Sequence, residues 1–201
     1  GTEDFVGAAA SGAVGGVVSL AGGLSTFALT THTEAAIGQG STVDAGGNVA
    51  VLASDITRTA TLAGSVSVGL GGAGIGGSIG LTLVTKDTEA SIADGAVVNA
   101  LGNSADLTEF AGSDFSTTRA GRGVLVEANS NESLFTLGIA GAGGFYGGVA
   151  GDLTIELVDT TTLAWIGTGA SINATNAGAN SAQDVTVTAR DSTSLAANDG
   201  A

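Results

Sequence analysis

The chain has 201 residues but a mass of only 19.0 kDa, because 35 residues are Gly and much of the rest is Ala, Ser and Thr. The 19 acidic and 5 basic residues give a formal net charge of −14, which disfavours nucleic acid or anionic lipid as a partner. Aromatic residues make up only 4%, so a core must come from Val, Ile, Leu and Ala, and the absence of Cys excludes disulfide and thiolate chemistry.

An imperfect repeat organises the chain. Three blocks share one pattern: TEAAIGQGSTVDA (Thr33–Ala45), TEASIADGAVVNA (Thr88–Ala100) and TLAWIGTGASINA (Thr162–Ala174). Each block leads to a Val-x-Val segment, then a Gly-rich apolar tract, then a Thr-rich segment. We therefore predict one repetitive domain, a piece of a longer chain, built from stacked units. Its parts are a partial unit 1–32, the units 33–87 and 88–161, and a partial unit 162–201.

The first tract, from Phe5 to Thr31, carries no charge, and neither does the second, from Thr59 to Thr85. Both are long enough to cross a bilayer as a helix. Gly is a poor helix former, however, and Ser and Thr interrupt both tracts. We therefore expect strands here, and no membrane insertion.

The apolar period within the tracts is two residues. Ile75, Ile79, Leu81 and Leu83 alternate with Gly, Ser and Thr, and a third tract from Ser133 to Gly151 leads into a similar alternation. Such alternation indicates half-buried β-strands. The sequence thus predicts an all-β fold, a parallel β-helix or β-solenoid of imperfect repeats, with a stacked β-hairpin sandwich or prism as the alternative.

The length of the units bears on how many turns each contains. A unit is too long for one turn of a simple β-helix, whose sequence repeats are short. We therefore expect two or three turns in each unit, or one turn plus a hairpin. The apolar parity switches across Gly71 to Gly74, which fits a hairpin as well as a solenoid corner.

Two apolar positions recur in all three blocks. They are occupied by Ile37, Ile92 and Ile166, and by Val43, Val98 and Ile172. β-Branched side chains suit a pleated surface, so we expect each set to form a ladder across stacked copies.

The second unit carries an insertion, Leu101 to Gly123, where the first unit has only Gly46 to Asn48. Loops on a rigid scaffold often carry binding residues, which makes this a candidate binding loop. Its candidate residues are Phe110, Asp114, Phe115, Arg119 and Arg122. The alternative is a tolerated surface insertion, because such insertions cost little free energy.

No catalytic or cofactor site can be assigned from the residues. The single His32 has no Cys for a partner, and the Gly-rich tracts match neither a phosphate loop nor a dinucleotide fingerprint. Glycoside hydrolysis needs two facing carboxylates, and Trp165 and Tyr146 are the only Trp and Tyr available to stack on sugars. We therefore expect no enzyme activity, no cofactor and no catalytic residue, and keep a carbohydrate-binding or polysaccharide-processing β-helix as the alternative.

Calcium stays open as a ligand. Oxygen ligands at turns can bind it, and Asp87 with Glu89, or Asp94 with Asn99, could meet in that way. Neither an EF-hand loop nor the Gly-Gly-x-Gly-x-Asp nonapeptide is present, however.

The run TEASIADGAVVNA, a VxVxA strand and the run GLGGAGIGGSIGLTLVTKDTEASI together resemble the repeats of large secreted bacterial exoproteins. These are the filamentous-haemagglutinin-like and leukotoxin-like filamentous adhesins, exported by type V or two-partner routes. The resemblance implies a secreted, non-enzymatic β-helical stalk on a bacterial surface. Its implied partner is a glycan or protein on a host or neighbouring cell, and lateral or end-to-end self-association is left open. It transfers no catalytic residue to this chain.

Overall fold

The structure is a computed structural model that describes residues 1–110 and 115–201, and every regular element within those residues is a β-strand. The strands are β1 (Thr2–Gly15), β2 (Val18–Ile37), β3 (Thr42–Ala45), β4 (Val49–Gly69), β5 (Ala73–Ile92), β6 (Val97–Ala100), β7 (Leu107–Phe110), β8 (Thr118–Gly121), β9 (Gly123–Gly144), β10 (Gly147–Ile166), β11 (Ser171–Ile172) and β12 (Asp184–Gly200). The described part of the chain holds no helix long and apolar enough to cross a membrane.

The described strands form three parallel sheets and one antiparallel hairpin. Sheet 1 has the order β1-β4-β9-β12, sheet 2 the order β2-β5-β10 and sheet 3 the order β3-β6-β11; β7 pairs with β8. The chain passes from a long strand of sheet 1 to one of sheet 2, then through a short strand of sheet 3 and back to sheet 1. This path makes an all-β parallel solenoid.

One unit makes one turn of this solenoid, so the expectation of two or three turns, or of a turn plus a hairpin, is wrong for the common repeat. The turn is long because its two main strands are long: β4 has 21 residues and β5 has 20. At about 3.3 Å per residue each spans roughly 65 Å, whereas a further turn adds only about 4.8 Å along the stack. The connection from Gly69 to Ala73 is a corner, because β4 and β5 belong to different sheets.

The strand register joins equivalent positions of the three blocks. Thr88 pairs with Thr33 on one side and with Thr162 on the other. The two apolar ladders are confirmed: Ile92 pairs with Ile37 and Ile166, and Val98 pairs with Val43 and Ile172. The repeat in the sequence is therefore a repeat of columns that run along the stack.

The apolar core lies where all three sheets meet. Its fully buried members are Val51, Ala53, Ala90, Ile92, Ala96, Val98, Ala100, Val124, Val126 and Ala128. Three sheets enclose a prism wide enough for these side chains. Half of these residues are β-branched, in agreement with the preference of such residues for a pleated, buried surface, and the other half are Ala.

Beyond the core, sheets 1 and 2 form a thin two-layer blade, represented in the central turn by residues 57–85. Most of its large aliphatic side chains point outward, for example Ile75 and Ile79, which are each 45% exposed, whereas Val84 is buried. The alternation predicted strands correctly, but the side that faces the partner sheet is the one with Gly, Ser and Thr. The reason is the close approach of the sheets, since a Cβ on Gly76 would lie 2.5 Å from the carbonyl oxygen of Gly141.

Hydroxyl groups take the place of apolar contacts inside the blade. Thr61 Oγ1 and Thr82 Oγ1 lie 3.2 Å apart, and Ser19 Oγ and Ser67 Oγ lie 2.6 Å apart. Each pair joins a strand of sheet 1 to a strand of sheet 2. Small hydroxylated side chains therefore fill the narrow gap, and these two pairs satisfy one another there, whereas the buried hydroxyls of Thr59 and Ser65 have no hydrogen-bond partner among the described residues.

Candidate functional site

The insertion lies beside the three parallel sheets. β7 and β8 form an antiparallel hairpin whose register runs from Leu107 opposite Gly121 to Phe110 opposite Thr118. Within the described residues, neither strand joins a parallel sheet. The hairpin is thus an addition to the second turn rather than part of the repeating stack.

Two of the five candidate binding residues form an aromatic pair. Phe110 and Phe115 make an edge contact, with ring centroids 5.5 Å apart and an interplanar angle of 72°. The Arg190 guanidinium lies 6.0 Å from the centroid of the Phe110 ring and donates to the Phe110 carbonyl oxygen. Asp114 falls outside the described residues.

The two candidate arginines have partners within the chain. Arg119 Nε donates to Glu109 Oε2 across the hairpin at 2.8 Å. Arg122 pairs with Asp106, and its Nη1 donates to the carbonyl oxygens of Gly102 and Ser104, at 2.8 Å each. Both arginines therefore hold the hairpin and its base together, and Phe110 and Phe115 form a separate contact.

A polar cleft of about 380 Å³ separates the hairpin from β12. Its charged lining comprises Asp106, Glu109, Arg119, Arg122 and Asp184. Asp106 and Glu109 already form ion pairs with Arg122 and Arg119, respectively. The cleft can offer hydrogen bonds to a polar ligand from side chains of both charges.

The hairpin also changes the environment of the outer face of sheet 1. Leu125 and Glu127 point away from the core, yet they are only 1% and 3% exposed. Arg190 Nη1 lies 3.5 Å from Glu127 Oε2 and connects this face to Phe110 of the hairpin. We attribute the burial of this part of β9 to the cover that the hairpin provides.

An ion cluster that the sequence interpretation missed lies between sheets 1 and 2 at the base of the blade. Lys86 Nζ lies 3.0 Å from Asp55 Oδ1 and 2.8 Å from Glu132 Oε1. The side chains are 0%, 3% and 0% exposed, so the cluster is sealed between sheets 1 and 2. Alternate residues of β5 point to the same face, and Lys86 alternates in step with the buried Ala90 and Ile92. This spacing in the sequence could have indicated that Lys86 points inward.

Hydroxyl groups complete the coordination of the two carboxylates. Thr31 and Thr33 each donate to Asp55 Oδ2 at 3.1 Å. Thr193 donates to Glu132 Oε2 at 3.0 Å. These donors come from neighbouring turns, so the cluster connects successive layers of the stack as well as the two sheets.

The pKa of Asp55 is shifted by opposing causes. Burial raises the pKa of this carboxyl, but the hydrogen bond and charge of Lys86, with the hydroxyls of Thr31 and Thr33, outweigh burial and hold the pKa below its ordinary value. The carboxylate is therefore the stable form in the fold. Because no surface path reaches these sealed groups, we read them as structural.

The first pair proposed for calcium is engaged elsewhere. Asp87 Oδ2 lies 3.1 Å from His32 Nδ1, and Glu89 Oε1 accepts a 2.8 Å hydrogen bond from Trp165 Nε1. Among residues 1–110 and 115–201, no group of three or more His, Asp or Glu side chains is placed to hold a metal ion.

The second pair proposed for calcium also has other partners. Asp94 Oδ1 accepts from the amide of Thr168 at 2.7 Å. Asn99 Nδ2 donates to Asp44 Oδ1 at 2.7 Å. These contacts join adjacent turns, the first through a backbone amide and the second between two side chains.

The aromatic residues proposed for sugar stacking are far apart. Tyr146 immediately precedes β10 and Trp165 is next to its last residue, Ile166. An extended strand separates them by roughly 60 Å at about 3.3 Å per residue. They cannot form one platform for a single short glycan.

No protein-family model, no curated protein and no solved structure matches this chain.

Proposed function

We propose that the chain is a non-enzymatic structural repeat module of a secreted bacterial surface adhesin. The observation that carries this proposal is the continuous register of equivalent residues, such as Ile37, Ile92 and Ile166, across successive turns. Each turn offers the next the same row of hydrogen-bonding groups and the same side-chain columns. Repetition of this kind suits a modular architecture in which turns are added without a change of design.

The dimensions of the turn indicate what such a module contributes. The unit 33–87 gives about 4.8 Å of height but roughly 65 Å of breadth. A module that served only to extend the chain would need fewer residues in each layer. The module is therefore better suited to presenting broad sheet faces, and the proposed adhesin would bind through surface as well as extend.

We place the proposed partner, a glycan or protein of a host or neighbouring cell, at the hairpin of the second turn. The polar cleft beside β12 has hydrogen-bonding groups of both charges, including Glu109, Arg119 and Asp184. Glycans and polar protein loops are recognised by such groups. The net charge of −14 favours solubility of a Gly-rich chain and opposes binding to nucleic acid.

Polysaccharide processing has less support. Asp55 and Glu132, which share Lys86, are sealed between the sheets, and Trp165 is distant from Tyr146. Calcium binding likewise lacks a cluster of ligands in the described residues.

The test combines modular growth with binding. A chain with a second copy of unit 33–87 inserted after residue 87 should fold, and solution scattering should show about 4.8 Å more thickness at unchanged breadth. The native chain, immobilised on beads, should bind cells or a glycan array, and the variant with Gly-Gly-Asn in place of residues 101–123 should bind less. Release of sugar fragments from any bound polysaccharide, or failure of the inserted unit to fold, would overturn the proposal.

A further inference from the structure

A straight apolar groove crosses the outer face of sheet 2 in the blade. Its floor is the column Gly22, Gly77 and Gly151, in which Gly77 pairs with both of the others. Its walls are two aliphatic ridges: Leu20, Ile75 and Val149 on one side, and Leu24, Ile79 and Leu153 on the other. The groove has a volume of about 660 Å³ and runs along the stack, perpendicular to the strands; Ser78 and Asp152 also line it.

The fold of one chain does not require glycine on this floor. A Cβ on Gly22 or Gly77 would have its nearest neighbour at 4.0 or 3.8 Å, and on Gly151 it would meet nothing within 4 Å. None of the three has a positive φ. By contrast, a Cβ on the inward-facing Gly74 would lie 2.5 Å from the Gly143 carbonyl oxygen.

Glycine weakens a strand interior, and it often marks a bulge, a tight bend, or a site where a ligand or another backbone approaches closely. Three consecutive turns keep it at this column. Something outside the monomer therefore accounts for the open floor, and a groove bordered by a matching ridge suits a solid partner better than fluid lipid.

We propose that a second copy of this chain docks in the groove. The ridge of Leu24, Ile79 and Leu153 lies two residues along the strand from the floor column, so groove and ridge are neighbours on the same face. A twofold axis parallel to the stack and midway between the two columns places each ridge in the groove of the other copy. Such an interface is self-complementary, as a twofold dimer requires.

The outermost columns of this face obey the same symmetry. The axis that exchanges groove and ridge sets Val18 against Ala28, Ala73 against Leu83 and Gly147 against Leu157, and it sets Leu20, Ile75 and Val149 against Thr26, Leu81 and Ile155. The apolar zone is therefore centred on the proposed axis.

Charge and area agree with a dimer. The outward positions between these outermost columns carry no charged residue in any of the three rows, and the first one beyond them is Asp159. Six columns and three rows cover roughly 550 Å² on each copy, at about 6.6 Å and 4.8 Å per step. The pair would bury roughly 1,100 Å², above the ~1,000 Å² that a specific interface needs.

The proposed symmetry has a geometric consequence. Strands of the two copies run antiparallel across the interface, but the two stacks advance in the same direction, and each row faces its own equivalent. Every added turn would lengthen the interface. Two copies projecting from one surface could thus associate side by side.

Sedimentation equilibrium of the full chain over micromolar to submillimolar concentrations tests the proposal. We expect a reversible species of twice the 19.0 kDa monomer mass. Gly77→Val fills the groove and should raise the dissociation constant at least about tenfold, since overpacking a filled contact is costly. Its thermal unfolding at low concentration should be unchanged or better, because the monomer has room for the side chain. Gly64→Val, on the outer face of sheet 1 with its nearest contact at 3.8 Å, is the matched control and should leave the dimer intact.

A compensating pair tests the geometry itself. Gly77→Ile alone should abolish the dimer, and Gly77→Ile with Ile79→Gly should restore it, because the swap exchanges groove and ridge within one row. Ile79→Ser removes part of the ridge without filling the groove, and it should weaken the dimer independently.

Three results would overturn the inference. They are a monomer at all concentrations, a dimer unaffected by Gly77→Val, and a monomer that binds phosphatidylcholine vesicles through this face. None of them bears on the modular function proposed above, which is tested by unit insertion and cell binding.

Discussion

Lys86 and Glu132 form an ion pair of 2.8 Å between sheets 1 and 2, and neither side chain has any exposure to solvent. Asp55 shares the same ammonium group, so one cation faces two carboxylates in a sealed layer. Buried charges are tolerated when they are paired and hydrogen-bonded, and here hydroxyls from adjacent turns complete the set. The cluster therefore fixes the relative position of the two sheets at the base of the blade.

Removal of the cation should be strongly destabilising. Lys86→Met leaves Asp55 and Glu132 buried without a counter-charge, and we expect a loss of about 3–5 kcal/mol in the free energy of unfolding. Urea denaturation at pH 7 measures it. The control is Arg58→Met, whose pair with Asp4 is exposed and 3.6 Å long, and which should cost no more than about 1 kcal/mol.

Replacement of the whole cluster should recover most of that loss. Neighbouring turns place Ser130, Thr57 and Thr31 at the positions of Asp55, Glu132 and Lys86. The triple variant Asp55→Ser, Glu132→Thr and Lys86→Thr should thus be closer in stability to the native chain than Lys86→Met is, because no charge is left unpaired. A triple variant less stable than Lys86→Met would contradict this account.

The stability should depend on pH through Asp55. Its pKa in the fold is lower than in the unfolded chain, chiefly because Lys86 outweighs the effect of burial. The stability that Asp55 contributes through this pKa difference is complete above the unfolded pKa of about 3.9. It declines as the pH falls from there towards the folded pKa. In urea denaturation at pH 7, 4 and 3, the free energy of unfolding should fall less with decreasing pH for Asp55→Asn than for the native chain. Equal losses would mean that Asp55 is not the responsible group.

A substitution by Asp should be far more destabilising in the buried ladder than on the outer face of sheet 1. Ile92 is wholly buried in the core, and Ile92→Asp should destabilise the fold by several kcal/mol, at least the ~3 kcal/mol of an uncompensated buried charge. Val66→Asp alters a 55% exposed residue on the outer face of sheet 1 and should change the unfolding free energy by about 0.5 kcal/mol or less. Similar melting curves for the two variants would mean that the assigned faces are wrong.

The strands, the two ladders and the alignment of the three blocks could be predicted from the sequence. Period-two alternation indicates strands, and internal repetition indicates which residues occupy equivalent positions. It was insufficient for the blade, where Ile75 and Ile79 face outward. Hydrophobicity predicts the buried side of a strand only when the partner sheet leaves room for large side chains. Here the separation of the sheets, set by pairs such as Gly76 and Gly141, reverses that rule.

The same limit applies to the candidate site. The sequence located the insertion and its aromatic and basic residues, but it could not show that Arg119 and Arg122 already have partners in Glu109 and Asp106. Nor could it join Asp55, Lys86 and Glu132, which come from three different strands. Pairings between distant segments depend on register, which only the stacked structure supplies.

The hairpin provides the last test, because we attribute the burial of Leu125 to it although it does not belong to the repeating stack. Replacing residues 101–123 with Gly-Gly-Asn copies the first-turn connection of Gly46 to Asn48, so the three sheets should still form. Leu125→Thr, which introduces the residue type of Thr186 from the same column, should cost about 2 kcal/mol in the full chain, where Leu125 is 1% exposed. In the shortened chain the same substitution should cost almost nothing, because Leu125 is then exposed. The difference, measured by urea denaturation of all four chains, isolates the contribution of the hairpin. An equal cost in both backgrounds would show that something else covers Leu125, and a shortened chain that fails to fold would make the hairpin part of the core.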